Sequence, residues 1–142
     1  MTLVSVTRLR VRSWRYLPAF FLQALRSSWQ AKSAKGSLSV SILQDSRKTF
    51  WTRTVWADEE AMKVYVVSGV HKQVMRSLLE WCDEAAVIHW EQESPQPPTW
   101  EEAFRRLKED GRPSKVNYPS NNHQAYRFPR PLVRLTGELR FK

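Results

Sequence analysis

The chain has 142 residues, of which 42% are hydrophobic, 26% charged and 12% aromatic, a composition typical of one folded domain rather than a disordered segment. A single cysteine excludes an internal disulfide framework and a four-cysteine zinc site. The four glycines match neither GxGxxG nor GxxxxGK(S/T), which excludes a glycine-rich phosphate loop. No run of about 20 apolar residues is present, so a membrane-spanning helix is excluded.

The net charge of +9 is distributed unevenly along the chain. Residues 1–44 contain seven basic and no acidic side chains, residues 45–94 carry a net charge of −3, and residues 95–142 one of +5. A basic, acid-poor beginning resembles a targeting signal, but the apolar stretch here follows four arginines and precedes no small-residue cleavage site. The beginning is therefore interpreted as folded, and the protein as cytoplasmic.

Hydrophobic periodicity in the first third predicts a strand, a helix and a hairpin. Alternation predicts strands over residues 4–12, 38–42 and 49–56, with a polar turn over residues 45–48. Helical spacing from Leu17 to Trp29 predicts a helix with Pro18 in its first turn. Its apolar stripe is formed by Leu17, Phe20, Phe21, Ala24, Leu25, Ser28 and Trp29. The strand at 49–56 has large side chains on both faces, so both faces should be covered. One face carries Phe50, Thr52, Thr54 and Trp56, and the other Trp51, Arg53 and Val55.

Capping residues, breaks and alternation in the remainder of the chain predict further helices and strands. Asp58 begins a helix that is interrupted at Ser68, a second helix covers residues 70–81, and a strand covers residues 85–91. After a proline-rich segment, Thr99 and Glu102 form a capping box for a helix over residues 101–110. Residues 112–131 are expected to be irregular, and residues 132–141 alternate as a last strand.

The element order is βαββαβ over the first 92 residues, which predicts an α+β, ferredoxin-like core. Residues 93–142 are then a C-terminal extension of helix, loop and extra strand, packing on the core or on a partner subunit. Two helices cover only one face of such a sheet. Pairing with a second copy of the chain would cover the other face.

Two segments resemble the antibiotic biosynthesis monooxygenase-like proteins, and most closely their members of unknown function. One runs from Thr54 to Met62, where a strand ends at Trp56 and an acidic turn opens a helix; the other runs from Ser68 to Lys72 and contains His71. The resemblance covers about residues 4–92. It implies a homodimeric α+β barrel with a pocket between sheet and helices, in a superfamily that includes cofactor-independent and haem-degrading oxygenases.

Comparison with the haem-degrading relatives indicates whether this chain has the residues that bind haem. Their helical tryptophan aligns with Tyr65 and their iron-ligating histidine with Met75. Because the haem ligand is missing, we expect no haem and no other cofactor.

The resemblance places His71 near the pocket, where it is the candidate catalytic base. The alternative is a histidine that packs or hydrogen-bonds locally at the start of a helix. The candidate walls for a hydrophobic small molecule are aromatic, although core and dimer interface explain the same residues. Arg53 either binds an anionic group, forms a salt bridge across the dimer or lies on a partly wet face. The candidate substrate-binding residues are Trp51, Arg53, Trp56, Tyr65 and Trp90.

Two other kinds of site are less favoured. Cys82, Asp83, Glu84 and His89 match no standard metal-ligand spacing, so no metal is expected. The basic surface around the first strand would give only salt-sensitive, non-specific nucleic-acid binding. Its arginines are Arg8, Arg10, Arg12 and Arg15, with Arg127, Arg130 and Arg134 of the extension.

The function predicted from these features is binding of a hydrophobic small molecule by a homodimer, with activity as a cofactor-independent oxygenase. The alternatives are a non-catalytic binding or structural homodimer and, less favoured, a basic nucleic-acid-binding protein.

Overall fold

The computed structural model describes residues 1–46, 48–134 and 137–142, which form an α+β fold. Within these residues, six antiparallel strands form one open sheet in the order β5-β4-β1-β3-β2-β6. Its four central strands with the helices between them give the predicted ferredoxin-like arrangement. The elements are β1 (Thr2–Val11), a 3₁₀ turn (Trp14–Tyr16), α1 (Leu17–Ser33), β2 (Ser37–Ser46), β3 (Thr49–Trp56), α2 (Glu59–Val66), α3 (Gly69–Trp81), β4 (Cys82–Gln92), α4 (Trp100–Asp110), β5 (Arg112–Pro113), α5 (Asn121–Ala125) and β6 (Glu138–Arg140).

Side-chain caps fix the helix starts that the sequence predicted. Asp58 accepts a hydrogen bond from the Ala61 amide at 2.8 Å, and Thr99 accepts one from the Glu102 amide at 3.1 Å. Each satisfies an amide that has no partner inside the helix. Pro18 lies in the first turn of α1, where its missing N–H costs nothing.

Helices α1, α2 and α3 cover one face of the sheet, but the predicted apolar stripe of α1 is partly wrong. Phe20, Ser28 and Ala31 are buried. Phe21 and Trp29, which the spacing placed on the same stripe, are 39% and 62% exposed. The buried side of α1 is thus narrower than the apolar run, because the helix contacts the sheet along one row of side chains only.

The opposite face of the sheet is covered by α4 of the same chain. Trp100, Ala103 and Leu107 of this helix are buried in one core cluster with Trp51 and Trp90 of the sheet. Both faces of β3 are therefore covered, as predicted, and the C-terminal extension provides the cover that we expected from a second copy. A sheet-to-sheet homodimer requires α4 to be displaced, whereas any other homodimer must use a different surface.

The C-terminal segment departs from its predicted pattern. The last strand is only Glu138–Arg140, which pairs with β2 and forms one edge of the sheet, and Val133 is exposed instead of pairing. The Leu132 amide donates to the Asp45 carboxylate at 2.7 Å, so a side chain and not a strand ladder holds this part of the segment. Residues 112–131, expected to be irregular, contain β5 and α5.

Two sequence predictions fall partly on residues that the structure does not describe. Leu135 and Thr136 of the predicted last strand lie outside the described residues, as does Arg47 of the predicted turn. Asp45 and Ser46, assigned to that turn, belong to β2. None of the described helices has the length and apolar run that crossing a bilayer requires.

Candidate functional site

A cavity of about 520 Å³ lies between the sheet and its three helices. Its floor is formed by β1 to β4 and its roof by α1, α2 and α3, while residues 112–116 close one side. Most of its walls are apolar, with Phe20, Phe50, Trp56, Met62 and Leu78 among the buried ones. The cavity therefore offers a largely apolar interior of the size used for small organic ligands, about 300–1,000 Å³.

Three polar side chains, two with hydroxyl groups and one with an imidazole, form a row across the floor of the cavity. The strand register places Ser5 of β1 between His89 of β4 and Thr54 of β3. The Trp56 indole N–H donates to Thr54 Oγ1 at 2.9 Å, which fixes both side chains. The floor thus presents a line of polar groups to an otherwise apolar ligand, as specific small-molecule sites commonly do.

Three ring side chains run from the end of β3 to the start of α3. The ring centroids of Trp56 and Tyr65 are 5.2 Å apart, and those of Tyr65 and His71 are 4.8 Å apart. The Tyr65 hydroxyl donates to the Ser27 carbonyl at 2.9 Å and lies 2.6 Å from Ser27 Oγ. Burial raises the Tyr65 pKa against the opposing effect of the Ser27 hydrogen bond, so the phenol stays protonated at neutral pH.

The protonation state of His71 suits a base. Its Nδ1 lies 3.2 Å from the Val66 carbonyl, which accepts only, so Nδ1 carries the proton and Nε2 the lone pair. Burial lowers the His71 pKa, and the Val66 hydrogen bond opposes this shift without reversing it. His71 is therefore neutral at pH 7, with one ring nitrogen free to accept a proton.

A second histidine, His89, also lines the cavity. Burial lowers its pKa, the nearby Arg112 lowers it further, and Glu59 acts in the opposite direction. Sequence reasoning weighed His89 only as a metal ligand. The signal that identifies it is strand alternation, which places His89 on the same face as Val87, and Val87 also lines the cavity.

The predicted site residues divide between the two faces of the sheet. Trp56, Tyr65 and His71 line the cavity. The other three, Trp51, Arg53 and Trp90, lie on the face that α4 covers, so the structure does not bring them together with the cavity residues. Alternation explains the division, because residues 51 and 53 point away from the face that carries residue 56.

Arg53 is buried beneath the C-terminal extension. Its guanidinium donates to the Pro98 carbonyl at 2.7 Å and to Ser41 Oγ at 3.2 Å, and it lies 3.6 Å from Glu138. Its Cζ is 4.1 Å from the centre of the Trp100 ring. These contacts join the sheet to the extension within one chain, and they provide the partners that a buried cation needs.

Cys82 has the environment of a core residue. It is fully buried, and burial with the neighbouring Asp83 raises the pKa of its thiol to about 12. The thiol is therefore protonated at neutral pH and is not a nucleophile. Within residues 1–46, 48–134 and 137–142, no cluster of three or more His, Cys, Asp or Glu side chains is arranged to hold a metal ion.

The arginines of the predicted basic surface are largely paired within the chain. Arg8 is buried and contacts Glu84 at 2.6 Å, and Arg10 contacts Asp83 at 2.8 Å. Arg12 contacts a third carboxylate, that of Glu80, at 2.7 Å. These pairs reduce the positive charge that β1 would present to a nucleic acid.

A family model described as a domain of unknown function, DUF3291, matches residues 25–115, which is more than half of the chain. The chain belongs to the DUF3291 family. The match runs from α1 through β5, so in this DUF3291 protein it includes His71, His89 and Arg112 of the cavity. It also continues through α4, past residue 92, where the sequence predicted the end of the core. A search of curated proteins gave no match for this DUF3291 protein.

Solved structures confirm the predicted antibiotic biosynthesis monooxygenase-like fold. A conserved protein from Methanosarcina mazei Go1 aligns with a TM-score of 0.59 at 14% identity, over 66% of the DUF3291 protein and 94% of the other chain. An antibiotic biosynthesis monooxygenase aligns with a TM-score of 0.58 at 8% identity, over 65% and 99%. SnoaB, a cofactor-independent oxygenase from Streptomyces nogalater, aligns with a TM-score of 0.52 at 16% identity, over 66% and 94%. At these identities the likeness is one of fold.

The lowered histidine pKa values predict a pH-dependent stability. The unfolded chain protonates its histidines near pH 6.5, whereas folded His71 and His89 bind protons only at lower pH. Stability is therefore present above pH 6.5 and is lost as the pH falls below it. We expect the Tm at pH 5.5 to be about 2–4 °C lower than at pH 7.5, and the difference to shrink in His71→Gln. An equal pH dependence in the wild type and the variant, measured by calorimetry, would contradict the assignment to His71.

Proposed function

We propose that this DUF3291 protein binds a largely apolar organic molecule in the cavity and oxidises it with molecular oxygen, as a cofactor-independent oxygenase. The observation that carries the proposal is the 520 Å³ apolar cavity with a neutral histidine, His71, on its wall. The single cysteine, buried as a thiol, is in keeping with the cytoplasmic location that we propose.

The shape of the cavity favours a flat, polycyclic ligand. Buried aromatic rings line the cavity at two places: Trp56 lies at one, and Phe20 and Phe50 lie at the other. The row of polar side chains on the floor, Ser5, Thr54 and His89, supports hydrogen bonding to one edge of such a ligand. Together these features match the usual composition of a small-molecule pocket, which is mostly apolar with a few placed polar groups.

The proposed chemistry assigns His71 the role of general base. An activated methylene, flanked by aryl or carbonyl groups, loses a proton to Nε2 and becomes a carbanion that passes electrons to O2. Overall, the methylene group and one molecule of O2 give a carbonyl group and one molecule of water, so the methylene is oxidised by four electrons and O2 is reduced by four. The substrate supplies all of the electrons, so no additional reductant is required. The fold likeness to SnoaB, which is described as a cofactor-independent oxygenase, supports this chemistry.

Filling the cavity should abolish ligand binding. Ala24 lines the cavity from α1, whereas Ala19 lies on the exposed side of the same helix, which makes it a matched control. We expect Ala24→Phe to weaken the binding of 1-pyrenebutanol, a neutral polycyclic fluorescent probe, at least tenfold, because the new ring occupies the ligand volume. Ala19→Phe should bind like the wild type.

The binding test uses fluorescence titration of the purified full chain, with circular dichroism to confirm that both variants are folded. No binding of 1-pyrenebutanol by the wild type would overturn the proposed cavity function. Equal binding by a folded Ala24→Phe variant and the wild type would place the probe elsewhere on the protein and overturn it as well.

A further inference from the structure

The cavity has an apolar deep end and a polar mouth. The residues exposed to solvent along its lining are concentrated between α2 and α3 on one side and β4 with β5 on the other. His89, Arg112 and Lys115 lie there, with Val66 and Met75 of the helices. The deep end is formed by buried side chains of α1, β2 and β3. A ligand that fills the cavity therefore places one end at this mouth.

Among the described residues, the charged side chains that line the cavity are basic. Arg112 and Lys115 belong to it, and no aspartate or glutamate does among the described lining residues. Neither cation forms an ion pair within the part of the chain that the structure describes, in contrast to Arg8, Arg10 and Arg12, which are paired with carboxylates. Glu59 acts electrostatically on His89 but is itself within 3.3 Å of the Lys63 ammonium group.

Backbone hydrogen bonds hold the two cations at the mouth. Arg112 is paired in register with Val87 of β4, and directly opposite residues of an antiparallel pair project to the same face, here that of the cavity. The Ser114 amide donates to the Ala85 carbonyl at 2.9 Å. The Asn117 amide donates to the Leu79 carbonyl, also at 2.9 Å, and so fixes the segment to α3. The positive rim is therefore built into the fold.

From this juxtaposition we infer that the ligand of the cavity is an amphiphilic carboxylate, whose apolar body lies between sheet and helices and whose carboxylate lies at Arg112 and Lys115. The inference rests on the proposed function and narrows its ligand class. An apolar interior excludes a second charge on the ligand, because an unpaired buried charge is costly. A guanidinium at the mouth pairs with a carboxylate in two-point geometry.

A pair of probes with one ring system tests the inference. 1-Pyrenebutyrate and 1-pyrenebutanol differ only in their carboxylate and hydroxyl ends, and both are titrated by fluorescence into the full chain. At low salt we expect the acid to bind about tenfold more tightly than the alcohol, because its carboxylate forms two partly exposed ion pairs. Its advantage should fall as NaCl is raised from about 20 to about 500 mM, while the affinity of the alcohol stays constant.

Variants assign the charge preference to named residues. Arg112→Gln with Lys115→Gln should lower the affinity for the acid to about that for the alcohol, which removes the preference. Arg26→Gln, an exposed arginine of α1 outside the cavity, is the control and should keep the preference. Equal affinity of the two probes for the wild type, or a preference that survives the double substitution, would overturn the inference while leaving the proposed cavity function intact. Binding of neither probe would overturn both.

Discussion

Replacing His71 by glutamine is expected to lower the rate of substrate-dependent O2 consumption by about 10²–10⁴-fold, the range typical of losing a general base. Glutamine keeps a polar side chain and an amide N–H for the Val66 carbonyl, but it has no nitrogen that accepts a proton at neutral pH. The measurement is O2 uptake by the wild type and the variant with a panel of polycyclic aryl ketones that carry a doubly benzylic methylene.

The pH profile separates loss of the base from a structural effect. Burial lowers the pKa of His71, so the active, neutral form persists below pH 6.5 and is lost only as the pH falls further. The wild type should therefore show an acid limb below pH 6.5, and this limb should be absent from the residual activity of His71→Gln. His89→Gln serves as the control, since it removes a cavity imidazole that has no assigned proton transfer. If His71→Gln keeps both the rate and the acid limb, another group is the base. If the wild type consumes no O2 with any ketone of the panel, the result favours the non-catalytic alternative.

Local patterns in the sequence predict most of the elements and three of the residues that line the cavity, Trp56, Tyr65 and His71. The capping box at Thr99 and Glu102 places the start of α4, and alternation gives the bounds of β3. The same alternation already separates Trp51 and Arg53 from Trp56, because side chains two residues apart share a face. The pocket predicted from aromatic composition combined residues of both faces, and the strand period is the stronger guide.

The remainder depends on contacts between distant parts of the chain. His89 enters the cavity because β4 pairs with β1 in the register that sets it opposite Ser5, and Arg112 does so because β5 pairs with β4. Neither register is visible in a local pattern, since it is fixed by the packing of whole strands. The position of α4 is likewise set by contacts between distant residues. This helix covers the sheet face for which the sequence suggested a second copy.

Replacing Trp100 by alanine is expected to lower the free energy of unfolding by about 3–5 kcal/mol, the usual cost of removing a buried aromatic side chain. Trp100 is 5% exposed and packs in the core cluster between α4 and the sheet. Its ring also lies against the Arg53 guanidinium, and its indole N–H donates to Glu138. The substitution therefore leaves a cavity and removes partners from a buried cation and a carboxylate, which adds to the cost. Chemical denaturation measures the change.

Trp29 provides the matched control, because it is the same residue type but is 62% exposed on α1. We expect Trp29→Ala to change the free energy of unfolding by less than about 1 kcal/mol.

The same pair of variants tests the homodimer that the family resemblance implied. A sheet-to-sheet dimer needs the face that α4 covers, so loosening α4 by Trp100→Ala should increase the mass measured by light scattering, whereas Trp29→Ala should not. A Trp100→Ala protein as stable as the wild type, with the same mass, would show that α4 contributes little to covering this face.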